Sequence, residues 1–239
     1  MFRPLNNIRE PFSFPPAKVG RGLPFLLSLL LVFASCTNSE EEDPYPDWQV
    51  RNAQWFAEMY DTATKAIADA KAQHPDGNDW EQHCDWRIYK TLLKSPDVQA
   101  ASTDCIVCKI NERGEDKYPV DELWSAAYTD SVRLYYRGWI MDKNYPESKT
   151  NLTVFSQTYY GDFDKTTAAP IAMPVTGTVE GFMTAIQYMV KGDDWMVYVP
   201  QELAYKELSS DAIPAYSTLL YRIRIELVHK SGEGMPGWR

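Results

Sequence analysis

The chain is short of positive charge, of histidine and of cysteine, and each shortage removes a class of function. Among 239 residues, 24 Lys and Arg stand against 33 Asp and Glu, a net charge of −9. Nucleic-acid binding rests on Lys and Arg neutralising phosphates, so no nucleic-acid role is expected. The three histidines, His74, His83 and His229, are scattered. No His/Cys or carboxylate pair stands out, and the histidines are assigned structural or exposed roles. Of the four cysteines, three follow residue 36: Cys84, Cys105 and Cys108. An odd number cannot pair completely within the chain. Cys105-Ile106-Val107-Cys108 has the CxxC spacing, but no second CxxC or paired His follows, and a zinc site needs about four ligands. The stretch from Asp104 to Ile110 reads as a strand, on which residues three apart face opposite sides. Structural cysteines, no metal and no cofactor are therefore expected. Long apolar runs are also missing. Leu23–Phe33 has the length of a signal-peptide apolar region and is too short to span a bilayer.

What is present begins with that run. Arg3, Arg9, Lys18 and Arg21 precede it, and Phe33-Ala34-Ser35-Cys36 ends it. Small residues before a single Cys resemble the lipobox of bacterial lipoproteins. The resemblance implies a signal peptide over residues 1–35 and a lipid on Cys36. Cleavage there would remove four bases and one acid, Glu10, and take the net charge from −9 to −12. Electrostatic attraction to an anionic leaflet is then not expected, so the lipid must anchor the chain to the membrane. Thr37-Asn38-Ser39-Glu40-Glu41-Glu42-Asp43-Pro44 reads as a solvated acidic tether, residues 36–46 in all. Its acidity also resembles the surface-export signal of Bacteroidota lipoproteins. The expected location is the bacterial cell envelope, at the outer membrane on its periplasmic or surface face.

From Trp48 to about Lys71 the residues Trp48, Trp55, Met59, Ala63, Ala66 and Ala70 recur at helical spacing, with Asp47 as N-cap. His74-Pro75-Asp76-Gly77-Asn78 stops the helix. Trp80 to Leu93 is ambiguous between helix and strand. Residues 47–103 thus read as a mainly helical extension.

The C-terminal half is patterned more clearly. Val132, Leu134 and Tyr136 alternate with Arg133, Tyr135 and Arg137, as on a half-buried strand. Leu219, Tyr221, Ile223, Ile225 and Leu227 share one face, opposite Arg222, Arg224 and Glu226. Between them Val179, Phe182, Met183, Ile186, Met189 and Val190 form the apolar stripe of a helix closed by Gly192. Asp194 to Val199 follows as a strand that Pro200 stops. The fold class is α+β, an antiparallel sheet wrapped on one amphipathic helix.

These segments carry motifs in order: Val179-Glu180-Gly181-Phe182; Met189, Gly192 and Asp193; Tyr198-Val199-Pro200-Gln201-Glu202-Leu203-Ala204-Tyr205; and Ile213-Pro214-Ala215-Tyr216-Ser217-Thr218-Leu219. Together they resemble the signature of FKBP-type peptidyl-prolyl cis-trans isomerases. Tyr136 with Gly138 resembles that family's Y-x-G, and Val154-Phe155-Ser156-Gln157-Thr158-Tyr159 its F-D-S-S-Y. The resemblance covers about residues 104–230 and leaves 231–239 as a tail. It implies a twisted antiparallel sheet around one helix, with an apolar pocket between them. The matching catalytic positions are Tyr136, Phe155, Ser156, Val179, Phe182, Tyr205 and Tyr221. Ile171 and Ile213 match substrate-binding wall positions. The implied activity is rotation about Xaa-Pro bonds in exported, proline-containing polypeptides, without nucleophile, metal or cofactor. The helical extension either dimerises the chain, as in some exported isomerases, or packs on its own domain.

Three departures bear on strength of catalysis. Ser156 replaces the family's Asp, Lys206 replaces the glycine after L-A-Y, and Phe182 replaces the usual Trp. Ser156 offers a neutral hydrogen bond but no charge. Lys206 implies an altered loop path if positive φ is needed there. A catalytically weak peptide-binding or chaperone module is therefore the alternative reading. The segment Asp142 to Asn151 is expected to form an enlarged flap at the site.

Overall fold

The computed structural model describes residues 44–144 and 151–238. The signal peptide, Cys36, most of the tether and most of the expected flap lie outside the described residues. Among those described, no helix is long and apolar enough to cross a membrane.

Helix α1 spans Trp48–Gln73, two residues past its expected end. Trp48, Trp55, Phe56, Ala63 and Ala70 recur on one buried stripe. His74 closes it, donating its N–H to the Ala70 carbonyl at 2.8 Å. The next residue, Pro75, disfavours helical geometry in the residue before it. Asp47 stands at the N-cap position but makes no side-chain capping bond and has φ 54. Its backbone carbonyl takes the first helical bond, from Arg51 at 2.9 Å.

The sheet is antiparallel throughout. Its strands are β1 (Trp86–Lys90), β2 (Cys105–Glu112), β3 (Ser131–Met141), β4 (Leu152–Gln157), β5 (Ile171–Pro174), β6 (Asp194–Val199) and β7 (Leu219–His229), in the order β1-β2-β6-β7-β3-β4. Strand β5 also pairs with β3. Helix α2, Glu180–Tyr188, packs on β2 and β6. Gly181 makes that contact possible, since a Cβ there would fall 2.3 Å from Val199 Cγ1.

Strand β2 is covered on both faces. Val107 packs with Phe56 and Ala63 of α1. Ile106, Cys108 and Ile110 belong to the main core with Phe182, Ala185 and Ile186 of α2. Its sequence is accordingly apolar without alternation. Strand β1 resolves the ambiguous Trp80–Leu93 stretch. Residues 79–82 form a 3₁₀ turn, and Trp86–Lys90 pairs with β2. The sheet therefore crosses the boundary expected at residue 104, and α1 packs on its own sheet.

Two details of the alternating strands differ from expectation. The β3–β7 register slips between Arg133 and Leu134, so β7 carries an extra residue around Glu226. Beyond this bulge the faces exchange. Leu227 turns half out, and Val228 takes its place in the core. Tyr135, expected on the wet face, is 1% exposed. Tyr159 and Phe163, from the connection after β4, cover it.

Candidate functional site

Strand β3 is paired differently at its two ends. Residues 131–134 pair with β5 and 137–141 with β4. Between them Tyr136 has no strand partner on that side. Thr158 fills the gap: its hydroxyl accepts from the Tyr136 N–H at 3.0 Å, and its own N–H donates to the Tyr136 carbonyl at 2.9 Å. The strand edge thus opens beside Tyr136 without leaving its backbone polar groups unpaired.

A cavity of about 210 Å³ lies at this opening. Tyr221, from β7, forms its base and is 4% exposed. Its ring meets Phe182 edge to face at 4.9 Å and Phe155 at 5.5 Å; Phe182 meets Tyr136 at 5.9 Å. Such pairs add about 0.5–1.5 kcal/mol each beyond burial, so the walls are mutually braced. Gly138 makes room for them, because a Cβ there would lie 2.6 Å from the Phe155 ring. Burial pushes the Tyr221 hydroxyl well above the usual phenol range, with Tyr205 and Tyr136 adding to the effect. Burial, then Tyr136, raises Tyr205. The two phenols are neutral hydrogen-bond donors at ordinary pH.

Polar groups occupy the margin. Ser156 Oγ lies 2.6 Å from the Tyr136 hydroxyl, so the serine keeps a hydrogen bond but adds no charge. Tyr205 is 40% exposed and contributes to the lining. Val179 ends the loop before α2 with φ −65 and ψ 152. Among the described residues its N–H has no hydrogen-bond acceptor, while its carbonyl accepts from Met183 at 2.9 Å. The chemistry on offer is an aromatic depression with two neutral donors near its mouth. The lining holds no carboxylate, thiol or imidazole.

Residues 124–226 match the family model described as FKBP-type peptidyl-prolyl cis-trans isomerase. The FKBP-type 22 kDa peptidyl-prolyl cis-trans isomerase of Escherichia coli K12 is 34% identical over 100 residues, 41% of this chain and 41% of that protein. The FKBP-type isomerase FkpA of the same strain is 22% identical over 169 residues, 70% of this chain and 53% of that protein. The crystal structure of Escherichia coli FkpA aligns with 20% identity and a TM-score of 0.41, covering 73% of this chain and 64% of that one. The chain spans about two fifths to a half of the length of these curated relatives.

Within the matched segment, all seven expected catalytic positions line one cavity: Tyr136, Phe155, Ser156, Val179, Phe182, Tyr205 and Tyr221. The two expected wall residues do not. Ile171 is 39% exposed near the start of β5, and Met173, two residues further along the same strand, lines the cavity instead. Ile213 is buried beside a second depression of about 230 Å³, reached past Tyr205 and bordered by Leu208, Ser209 and Ser210. Gly177 and Thr178 complete the main cavity and were not foreseen. They precede Val179 directly, so its motif could have pointed to them.

Lys206, just after Tyr205, has φ 55°, a left-handed backbone that glycine adopts without steric cost. For a lysine that conformation is strained. Cys84, Cys105 and Cys108 are buried, free and outside the site. Two of the histidines are not scattered in space: His74 and His83 stack with ring centroids 3.7 Å apart.

Proposed function

We propose that the chain is a peptidyl-prolyl cis-trans isomerase acting on Xaa-Pro bonds of exported polypeptides, with the aromatic cavity as its active site. The observation that carries this reading is the convergence of Tyr136, Phe155, Phe182 and Tyr221 around an open depression edged by Tyr205 and the Val179 N–H. Resonance holds the Xaa-Pro bond planar behind a barrier of about 18–20 kcal/mol. Twisting the bond weakens that resonance and lowers the polarity of the C–N unit. An apolar surround therefore disfavours the planar amide more than the twisted one. Catalysis needs interactions stronger in the twisted state than in the ground state. The Val179 N–H and Tyr205 hydroxyl supply preformed donors for the rotated carbonyl. Tyr221 supports the proline ring from below, and Phe155 and Phe182 hold Tyr221.

A lipid on Cys36 would keep this site at the envelope surface, where unfolded exported chains pass. The reading is tested by following cis-to-trans conversion of a Xaa-Pro peptide with a coupled protease. Acceleration proportional to protein concentration, lost in Tyr221→Leu, supports it. Peptide binding without acceleration would favour the chaperone-module reading, which the neutral Ser156 motivates. Radiolabelled palmitate tests the anchor: Cys36→Ala should abolish labelling and release the protein from membranes.

A further inference from the structure

We propose that His74, Asp79 and His83 form a binding site for one divalent transition-metal ion of the zinc class, fastening the end of α1 to the turn that leads into β1. Asp79 Oδ2 lies 3.3 Å from His74 Nδ1 and 3.7 Å from His83 Nε2. All three atoms fall within 4.8 Å of one another. Ligands about 2.0–2.1 Å from a tetrahedral zinc stand about 3.3 Å apart. The His74–Asp79 pair already has that spacing. His83 Nε2 needs to close on Asp79 by a few tenths of an ångström, and its ring, stacked nearly parallel on His74, must turn for both in-plane lone pairs to meet one ion; its side chain and that of Asp79 are about half exposed, which leaves room for that turn.

The backbone that carries these groups is fixed. His74 bonds back to α1, and the turn is pinned by Asp79 N–H to Asp76, Glu81 N–H to Asn78 and His83 N–H to Trp80. Trp80 lies between Lys71 of α1, 4.7 Å from its ring, and Arg87 of β1, 4.9 Å away. The nearby cations are thus engaged with Trp80. Among the described residues, the ion-pair contacts of Asp79 are with the two imidazoles alone.

A shared positive ion would draw the three groups together. Two protonated imidazoles stacked at 3.7 Å would repel, and one carboxylate oxygen would serve both. One metal ion accepts a lone pair from each nitrogen and from the oxygen. Two imidazole nitrogens select zinc, copper or nickel over calcium and magnesium, which take oxygen ligands. Three protein ligands leave a fourth position for water. Exposure makes the site an exchangeable one. By mass action, occupancy would stabilise the folded chain.

The test uses the full chain, purified without a histidine tag and stripped with chelator. It is titrated with zinc chloride by calorimetry, with magnesium chloride as control. One zinc per chain, no magnesium uptake and a melting temperature that rises with zinc are expected. His83→Gln and Asp79→Asn should each weaken uptake at least about tenfold, with an unchanged circular dichroism spectrum. His229→Gln should leave uptake unchanged. Absence of saturable uptake would overturn the proposal, as would uptake that persists in His74→Gln/His83→Gln. Should that double variant unfold, the cobalt spectrum of the unmodified chain decides. Bands without thiolate charge transfer support the His/Asp site, and a thiolate band assigns the metal to cysteine and refutes it.

Discussion

Lys206 and Tyr216 both hold left-handed backbone, φ 55 and 61, and the Tyr216 N–H donates to the Lys206 carbonyl at 2.6 Å. That bond closes the loop whose first residue follows Tyr205 and whose end leads into β7. For a residue with a Cβ the left-handed region costs roughly 1–2 kcal/mol. Glycine would remove that strain and lose roughly 0.5–1 kcal/mol in chain entropy. Lys206→Gly should therefore stabilise the fold by about 0.5–1 kcal/mol, read as a higher urea midpoint at unchanged slope. A lower midpoint would show that the lysine stem contributes more by packing than its backbone costs.

The other end of the same loop is held by α1. Asn52 is fully buried; its Oδ1 accepts from the Thr218 N–H at 2.8 Å, and its carbonyl accepts from Thr218 Oγ1 at 3.1 Å. Trp48 Nε1 donates to Ser217 Oγ at 3.0 Å. Asn52→Ala would leave the buried Thr218 N–H unpaired, at a cost of about 1–3 kcal/mol. The expected result is one cooperative unfolding transition at lower denaturant. An unchanged midpoint would mean that α1 is detachable from the sheet.

How far the sequence spoke depended on how local the determinants were. Helix α2 and strands β6 and β7 carry their period in adjacent residues, so one face could be assigned without knowing what covers it. Strand β2 and Tyr135 could not be placed that way, because α1 and the Tyr159–Phe163 segment bury them from a distance in sequence. The exchange of Leu227 for Val228 depends on a bulge that has no composition of its own. In the site, spacing within the family motifs carried Tyr136, Phe155, Phe182 and Tyr221 to one cavity. Ile171 failed because a short edge strand can slide against a motif without breaking it, and Met173 took the place. His74 and His83 escaped notice because an irregular turn, not a helix or strand period, brings them together.

The three thiols after residue 36 should be inert in the folded chain. Cys108 is fully buried, and burial pushes its thiol far up, against a smaller opposing effect of Arg87. Burial also raises Cys105. Because the folded thiols hold their protons more tightly than unfolded ones, this stability is fully present below the ordinary thiol value of about 8.5. It is lost as pH rises beyond that value, where the unfolded chain ionises first. Site-resolved mass spectrometry should find Cys105 and Cys108 unmodified by iodoacetamide until denaturant is added. Cys108→Ala should flatten the alkaline fall in stability. Rapid native labelling would show that β2 opens far more readily than its burial implies.

Tyr221 and Ser156 test the base and the margin of the cavity together. Tyr221 is packed by Phe182 and Phe155, so its loss reaches both walls. Tyr221→Leu keeps an apolar side chain and should cost about 2 kcal/mol, in the range of imperfect core exchanges. It should still remove most turnover, because the proline ring loses its aromatic base. Ser156→Asp acts in the opposite direction. The Tyr136 hydroxyl would then donate to a carboxylate, a charge-assisted bond roughly twice as strong as the neutral one. That fixes the Tyr136 ring and places negative charge at the margin, and kcat/KM for a Xaa-Pro peptide should rise. The gain should fade on acidification through the carboxylate range, since the protonated acid offers no more than the serine does. If both variants fold, by circular dichroism, and neither changes peptide turnover, the cavity binds chains without isomerising them.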